Sequence, residues 1–440
     1  MIVTLFLVQF LIVLVCIGLG GRFGGIGLGA AGGLGLAILT FGFGLPPDSP
    51  PITVISIIIA VITCVTILQA AGGLDLLVTM AEKILRKWPG AITFLGPFVA
   101  FLFTALCGTG YVAFSVYPVI AEIATDARVR PERAMSMSVI AANFGLIASP
   151  VSAVITGTLA ILAGLHVSAL DILSVTVPGT LLGCLAGCLF VWKRGNELDN
   201  EPEFQRRIAE GTFKPLKTQE NKDETASGKA RKGLVIFIIG ILLVVLMGSV
   251  PELRPLWNDG HTIKRMDVPT TLQIIMLTTA CIIMLICRIP PLSLDSGSVF
   301  KSGLVGVVAI FGLSWMMNSF FAAWSDLFNS AYRDFQNPLL FGLLVFILSA
   351  VIYSPAATAV ALFPAGVMMG YPAATLIALL PLTCGSFIIP GGAQIGCVAF
   401  DRTGTTKIGK YVVNHSYMLP GLVTTLSSSV FCFLLAGILL

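Results

Sequence analysis

Charge is the scarcest property of this 440-residue chain. Only 11% of its residues are Asp, Glu, Lys or Arg, against roughly 25% in an average soluble domain. Hydrophobic residues make up 56%, and the mean hydropathy is +0.96. This composition excludes an ordinary soluble fold and predicts an all-α polytopic membrane protein embedded in a lipid bilayer. The net charge of +4, dispersed among loops, gives no reason to expect nucleic acid as a partner.

Clusters of residues that carry chemistry are also missing. The ten cysteines form no C-x-x-C pair and have no histidine at metal spacing, so we expect packing residues, with no metal and no cofactor. No nucleophile with a base and no acid–base pair stands out, which argues against an enzyme. Residues 1–10 lack the basic start of a signal peptide, so the first apolar segment is expected to remain as a span.

Between Asp334 and Asp401 the chain runs 66 residues without a charged side chain. A charge-free run of this length belongs in lipid, where broken helices are tolerated only if the freed backbone is buried in protein or lines a solvated cavity. Broken spans in both halves of a chain are typical of a transporter's binding site. The helix breakers within this run are Pro338, Pro355, Pro364, Pro372, Pro381, Pro390, Gly391 and Gly392.

Apolar stretches of about 20 residues mark the simple spans. The segment 193–232 holds 10 Lys or Arg and 8 Asp or Glu, so we interpret it as a cytoplasmic linker between a first repeat, 1–192, and a second repeat, 233–440. By the positive-inside rule the basic loops are cytoplasmic, which places both termini outside, in the periplasm. The predicted spans lie near 2–20, 24–44, 52–71, 169–192, 233–250, 269–287, 302–321 and 416–438.

Each half also contains two apolar segments that are too long or too interrupted for a simple span. We predict one re-entrant hairpin and one broken span in each half. The hairpins are predicted at about 91–124 and 338–370, and the broken spans at about 134–164 and 373–400. The interruptions fall at Gly108-Thr109-Gly110, Ser149-Pro150, Ser354-Pro355 and Pro390-Gly391-Gly392.

Five spans plus one hairpin carry the chain inward in the first half and outward in the second, which makes an inverted repeat. The two tips align by sequence, because Gly108 and Ser354 each lie ten residues before a proline. The loop 251–268 argues against this topology, since it is predicted to be outside yet carries three basic residues, accompanied by three acidic ones.

Broken helices expose backbone N–H groups, whose partial positive charge attracts anions without a formal cation. No Asp, Glu, Lys or Arg lies near the predicted midplane, so hydroxyls and backbone amides remain as ligands. Any single hydroxyl can instead bond the carbonyl one turn back, but residues beside a break are better candidates. The predicted substrate ligands are Gly108, Thr109, Gly110, Ser149, Pro150, Ser152, Ser354, Pro355, Thr358, Pro390, Gly391 and Gly392. Asn143 and Ser386 are among the other polar residues of these segments.

Three further features receive ordinary structural interpretations. The G-x-G-x-x-G match at 27–32 has neither a strand before it nor an acidic residue after it, so it predicts a small-residue face for helix contact through Gly25, Gly29 and Gly33. The segment 401–406 resembles the phosphorylated loop of P-type ion pumps, but the chain has no soluble segment as large as their cytosolic domains. We therefore interpret this loop as a helix cap and, through Arg402, Lys407 and Lys410, as an anchor at the cytoplasmic end of the broken span. The histidines, His166, His261 and His415, are interpreted as loop or interface residues rather than proton relays.

Several strings, spread along almost the whole chain, resemble the anaerobic four-carbon dicarboxylate transporter (Dcu) family of the ion-transporter superfamily. They are Gly21-Arg22-Phe23-Gly24-Gly25-Ile26-Gly27, Gln69-Ala70-Ala71-Gly72-Gly73-Leu74-Asp75, Gly108-Thr109-Gly110, Ile147-Ala148-Ser149-Pro150-Val151-Ser152, and the run from Asp401 to Lys410 continuing to Asn414-His415.

The resemblance implies a bacterial inner-membrane carrier that exchanges fumarate, succinate, malate or aspartate. It also implies an elevator-type fold with scaffold and transport domains, often dimeric, that holds the substrate between two hairpin tips. Two strings depart from the family pattern: Pro390-Gly391-Gly392-Ala393 replaces Pro-Thr-Tyr-Pro, and Ser354-Pro355-Ala356-Ala357 replaces Ser-Gln-Ala-Ala. Both would border the substrate.

Dicarboxylate exchange is therefore the leading hypothesis, and sodium-coupled dicarboxylate symport is the alternative. A cation/proton antiporter of the same superfamily would need an intramembrane carboxylate to carry the proton, and the sequence shows none. An integral-membrane enzyme would need reactive groups that the sequence does not supply.

Overall fold

The computed structural model describes residues 2–23, 26–213, 228–258, 263–290, 298–324, 326–327, 337–390, 392–408 and 414–440. Nearly all of these residues are helical. The α-helices are α1 (Ile2–Phe23), α2 (Ile26–Ala37), α3 (Ile52–Ala70), α4 (Gly73–Lys87), α5 (Ile92–Cys107), α6 (Tyr117–Asp126), α7 (Pro131–Leu146), α8 (Ala153–Ile161), α9 (Ala169–Val191), α10 (Pro202–Ala209), α11 (Gly228–Ser249), α12 (Val268–Cys287), α13 (Ser298–Ala323), α14 (Pro338–Ile352), α15 (Pro355–Met368), α16 (Ala373–Ala378), α17 (Gly392–Val398) and α18 (Met418–Leu439).

Seven helices in the described part of the chain are long and apolar enough to cross a membrane. They are α3, α9, α11, α12, α13, α18 and the helix that α5 forms with the turn before it, Pro89–Cys107. Other apolar helices, including α14 and α15, are shorter, at 10–17 residues. The prediction of an all-α polytopic membrane protein is therefore confirmed. The helix α4, which carries charge along one side, was not predicted.

Small residues allow the closest helix contacts. A Cβ on Gly29 would overlap the carbonyl of Val308, and one on Gly32 would overlap the backbone of Gly312, so α2 and α13 touch backbone to backbone. The observed contact uses Gly29 and Gly32, whereas the predicted small-residue face used Gly29 and Gly33. Gly33 makes no such contact, because no atom of the described chain lies within 4 Å of its Cβ position. Gly25, the remaining member of that predicted face, lies outside the described residues.

The helices α9 and α18 meet along a second glycine face. Gly179, Gly183 and Gly187 of α9 each lie against a small side chain of α18, and no Cβ would fit at any of the three positions. Their respective neighbours are Cys432, Ser428 and Thr424. Because α9 belongs to the first half of the sequence and α18 to the second, this contact joins the two halves directly.

Hydrogen bonds join helix ends at both ends of the bundle. At one end the start of α3 lies beside the start of α12, where Gln273 Nε2 donates to Ser56 Oγ at 3.0 Å. At the other end the start of α11 lies beside the end of α12, where Cys287 Sγ donates to the carbonyl of Lys229 at 3.3 Å. The loop 251–268 includes two short antiparallel strands, β1 (Leu256–Asn258) and β2 (Ile263–Arg265), which the sequence did not predict.

Part of the predicted linker is folded against the bundle. The helix α10 forms within it, and α11 begins at Gly228, inside the segment predicted as linker. The buried guanidinium of Arg133 donates to the carbonyls of Arg194 and Gly195 and to the Glu197 carboxylate, at 2.9–3.1 Å. Charge complementarity thus fixes the first stretch of the linker to the start of α7. Residues 214–227 lie outside the described part of the chain.

Candidate functional site

The first hairpin tip forms where α5 ends. Gly108 adopts a left-handed conformation with φ of +67°, and its N–H donates to the carbonyl of Thr104 at 2.8 Å. A Cβ at Gly108 would lie 2.9 Å from the carbonyl oxygen of Val151, in the first break. The dihedral angle favours glycine here, and this close approach leaves no room for a side chain. After it, Thr109 is extended and half-buried, and a 3₁₀ segment, Gly110–Ser115, leads into α6.

The second hairpin tip has the same backbone plan. Tyr353 ends α14 in a left-handed conformation with φ of +59°, and its N–H donates to the carbonyl of Ser349 at 3.2 Å. Ser354 follows in an extended conformation and caps α15, with its Oγ accepting from the Ala357 N–H at 3.2 Å. Pro355 then occupies the first turn of α15, where its missing N–H costs no hydrogen bond.

The backbone therefore pairs Thr109 with Ser354, and Gly108 with Tyr353. The φ and ψ angles of Thr109 are −141° and 132°, and those of Ser354 are −140° and 113°. The sequence alignment had paired Gly108 with Ser354, one position out of register. That pairing assumed equal spacing from each tip to the proline that follows it. The 3₁₀ segment of the first hairpin makes this spacing one residue shorter than in the second hairpin.

The first break separates α7 from α8. Ser152 caps α8 by accepting from the Ile155 N–H at 3.2 Å, while its hydroxyl donates to the carbonyl of Leu146 at 2.5 Å. The Ser149 Oγ is fully buried and, within the described residues, has no hydrogen-bond partner. Pro150 between them is half-buried. The Ser152 hydroxyl thus bonds to local backbone groups, whereas the Ser149 hydroxyl remains available to bind a ligand.

The second break is less regular. After α16 the chain forms a 3₁₀ segment, Leu380–Phe387, and then passes Pro390 into α17. Pro390 is half-buried, Gly391 lies outside the described residues, and Gly392 begins α17. Of the other predicted ligands, Thr358 is fully buried in α15, and its hydroxyl donates to the Ser354 carbonyl at 2.9 Å.

Two residues that the sequence analysis left outside the predicted site join the two halves. Asn143 Nδ2, from α7, donates to Ser386 Oγ, in the 3₁₀ segment before the second break, at 2.8 Å. The carbonyl of Asn143 in turn accepts from the Cys384 thiol at 3.6 Å. Asn143 is half-buried. Asn143 and Ser386 are 243 positions apart, and only their polarity within apolar segments could have drawn attention to them.

Matching glycine contacts hold each hairpin against a break. Gly145 of α7 packs on the carbonyl of Phe101 in α5, and Gly385 packs on the carbonyl of Phe346 in α14. Gly145 and Gly385 each lie five residues before the proline of a break. Across the halves, Gly157 of α8 packs on Val360 of α15, and Gly396 of α17 packs on Phe114 of the first hairpin. The structure thus links all four predicted motifs through direct packing.

The electrostatics of this region come from hydroxyls, one amide and backbone groups, because no charged side chain occurs between Trp88 and Glu122 or between Asn337 and Asp401. Among the described residues no group of three or more His, Cys, Asp or Glu could hold a metal ion. A small surface depression lies elsewhere, between α6 and the docked linker, and is lined by residues that include Glu122, Phe213 and Arg402. It shares no residue with the tips or breaks.

A bundle of apolar helices with two interrupted spans facing two helical hairpins has the architecture of a membrane transporter. The comparisons with known proteins agree. The sequence model of the family described as anaerobic C4-dicarboxylate membrane transporter matches residues 5–440. The chain therefore belongs to that family, and the prediction of a carrier rather than an enzyme is confirmed.

Relatives match along nearly the full length. The anaerobic C4-dicarboxylate transporter DcuB of Escherichia coli O6:H1 is 36% identical, with 98% of this chain and 99% of that protein covered. The C4-dicarboxylate transporters DcuA of Wolinella succinogenes and Helicobacter pylori are 35% and 34% identical at the same coverage. The crystal structure of the YdaH transporter of Alcanivorax borkumensis is similar in fold, with a TM-score of 0.58 over 91% of this chain and 88% of that one at 16% identity.

Proposed function

We propose that this protein exchanges small dicarboxylates, namely fumarate, succinate, malate or aspartate, across the bacterial inner membrane. The observation that carries the proposal is the pair of tips. Thr109 and Ser354 share one backbone conformation, each follows a left-handed residue, and each presents a half-buried hydroxyl. Two equivalent uncharged sites of this kind suit a short molecule that has a carboxylate at each end.

Each carboxylate would then be bound by one tip together with one break. The first set combines Gly108, Thr109 and Gly110 with Ser149 and Pro150, and the second combines Ser354 and Pro355 with Pro390, Gly391 and Gly392. Asn143 joins the site, because its amide reaches the second break from the first half. The proposed roles of Ser152 and Thr358 are narrower, since both hydroxyls donate to nearby carbonyls and can only accept from a ligand.

Elevator transport by an inverted repeat is part of this proposal. The paired tips, Gly108 and Tyr353, and the paired contacts of Gly145 and Gly385 support a repeat at the level of single residues. We assign α5–α9 and α14–α18 to a transport domain, and α1–α3 and α11–α13 to a scaffold. The contact between α9 and α18 supports this division, because it packs the first-half part of the transport domain against the second-half part. A homodimer, which the resemblance implies, stays a prediction.

The experiment that tests the function is counterflow in proteoliposomes. Vesicles that contain the purified protein are loaded with unlabelled succinate or left empty, and uptake of labelled fumarate is measured with and without a sodium gradient. Rapid uptake that requires internal succinate and no sodium is expected. Sodium-dependent uptake into empty vesicles would replace the exchanger with a symporter. Competition by succinate, malate, aspartate and citrate would then rank the substrates, with citrate as the tricarboxylate control.

A further inference from the structure

A backbone carbonyl just before the second break is contacted by a side chain from far along the chain. The 3₁₀ segment ends with Ile388 as its C-cap, Pro390 has no N–H, and α17 begins only at Gly392. A carbonyl beside a residue that lacks an N–H can accept from a side chain instead. The Nε2 of His415 lies 3.2 Å from the Ile388 oxygen, although the two residues are 27 positions apart.

The partners of the imidazole fix its tautomer. The backbone N–H of Tyr417 points at His415 Nδ1 at 3.2 Å, and a backbone N–H can only donate. Nδ1 is therefore the acceptor, which puts the proton on Nε2 and makes that nitrogen the donor to the Ile388 carbonyl. The residue is 7% exposed. Both nitrogens are thus used, one to hold the loop before α18 and the other to hold the break.

The first break carries a side-chain donor of its own. Ser152, two residues after Pro150, donates to the Leu146 carbonyl and caps α8. The residue two positions after Pro390 is Gly392, which has no side chain and cannot do the same. The second break therefore has no hydroxyl at the position that Ser152 occupies in the first. This asymmetry explains why an imidazole from a loop reaches the end of the 3₁₀ segment.

We propose that His415 is a positioning residue for transport: by donating to the Ile388 carbonyl it holds the second break in the geometry that receives one carboxylate of the substrate. His415 itself contacts no substrate. The inference rests on the proposed function in one respect, namely the assignment of the second break to the substrate site.

The surroundings of the ring favour its neutral form. Burial lowers the pKa of His415 below its ordinary value of 6.5, and the hydrogen bond to Ile388 opposes this only in part. A second proton would turn Nδ1 into a donor facing the Tyr417 N–H, so the loop contact would be lost. Since the folded-state pKa is the lower one, stability falls as pH drops below about 6.5. The titratable groups on or near the elements around the ring are Tyr117, Glu132, Cys397, Asp401, Lys407 and Tyr417.

Three variants in proteoliposomes test the proposal, with fumarate as the labelled substrate. His415→Ala removes the imidazole donor to the Ile388 carbonyl, so we expect about a tenfold rise in KM for fumarate. His415→Gln keeps an N–H near the same position, so its KM should stay within about threefold of wild type. His166→Asn is the control, because His166 is exposed in a left-handed turn after α8 and belongs to neither break.

The pH profile separates a positioning role from general packing. Uptake by the wild type and by His166→Asn should fall on the acid side of pH 6.5 more steeply than uptake by His415→Gln, and comparing proteins at each pH cancels the titration of fumarate itself. Wild-type KM in His415→Ala, the same defect in Gln as in Ala, or identical pH profiles for His415→Gln and the wild type would each overturn the proposal. If His415→Ala fails to fold, the kinetics of His415→Gln still decide.

These outcomes are distinct from failure of the proposed function. If the protein does not move dicarboxylates, the wild type itself shows no fumarate counterflow. If only the present inference is wrong, the wild type exchanges fumarate and the His415 variants do so with unchanged KM and pH dependence.

Discussion

At the scale of single residues, the tips show how one hydroxyl can have two roles. The Ser354 Oγ accepts from the Ala357 N–H, whereas the Thr109 side chain makes no capping hydrogen bond. A capping serine contributes roughly 0.5–2 kcal/mol to the free energy of unfolding. The two hydroxyls are therefore equivalent in position but differ in what they stabilise before any substrate arrives.

We expect Thr109→Ala and Ser354→Ala each to weaken fumarate exchange. A hydrogen bond to a charged group is worth roughly 1.5–3 kcal/mol, which corresponds to about a 10–150-fold loss of affinity. Only Ser354→Ala should also lower the melting temperature, because only Ser354 caps a helix. KM from counterflow and the melting temperature in detergent measure the two effects, and the amount of protein in the membrane is the control. Wild-type affinity in both variants would mean that neither hydroxyl binds the substrate.

Gly108→Ala should disrupt the first tip. A left-handed alanine costs roughly 1–2 kcal/mol, and the added Cβ would press on the Val151 carbonyl. We expect a lower melting temperature and a large loss of uptake. Gly164→Ala is the matched control, because Gly164 is exposed and no described atom lies within 4 Å of its Cβ position. Equal effects of the two substitutions would show that the contact between the tip and the break is dispensable.

At the scale of elements, glycine faces decide which helices touch. Gly183→Val would drive a branched side chain into Ser428, at the centre of the contact between α9 and α18. Overpacking of this kind costs typically 1–3 kcal/mol, so the melting temperature should fall by several degrees. Gly33→Val in α2 is the control, since its Cβ position is open to the described chain. Similar melting temperatures for both variants would contradict the close contact.

The docked linker makes a second prediction at this scale. Arg133→Met keeps apolar bulk but removes the donors to the carbonyls of Arg194 and Gly195, which should cost roughly 1–3 kcal/mol of stability. Arg206→Met removes a guanidinium that is 62% exposed, and it should leave the melting temperature unchanged. Limited proteolysis between 194 and 213 provides the readout. Faster cleavage in Arg133→Met alone is expected, and equal cleavage would exclude the docking role.

Sequence reasoning located the elements much better than the contacts between them. Apolar length alone predicted α3 and α12 to within two residues, because lipid imposes a minimum length on a span. The strands β1 and β2 and the folded start of the linker were missed, since both depend on tertiary contacts. The bond between Asn143 and Ser386 was beyond reach for the same reason. Periodicity describes one segment at a time and cannot place two segments side by side.

At the scale of the whole molecule, the two ends of the bundle differ in charge. One end gathers Arg86 with Glu122, Arg130 with Glu132, and Arg207 with the carbonyl of Arg402. The other end carries the Pro-rich turn near Asp48, whose carbonyl accepts from Trp315 Nε1. Loops that the positive-inside rule assigns to the cytoplasm thus contact one another, which supports the proposed topology.

Accessibility labelling tests this topology directly. On a background that lacks the native cysteines, Asp48→Cys and His166→Cys should react with an impermeant thiol reagent in intact cells, because both positions are proposed to face the periplasm. Substitutions at exposed linker positions, such as Asp199→Cys, should react only after permeabilisation, since that segment docks on the basic end, which is proposed to face the cytoplasm. Asp199 is 61% exposed, so poor reaction in intact cells would reflect sidedness rather than burial. Labelling of Asp199→Cys in intact cells would contradict the proposed topology. It would mean that both halves have the opposite orientation, because the linker joins the end of the first repeat to the start of the second.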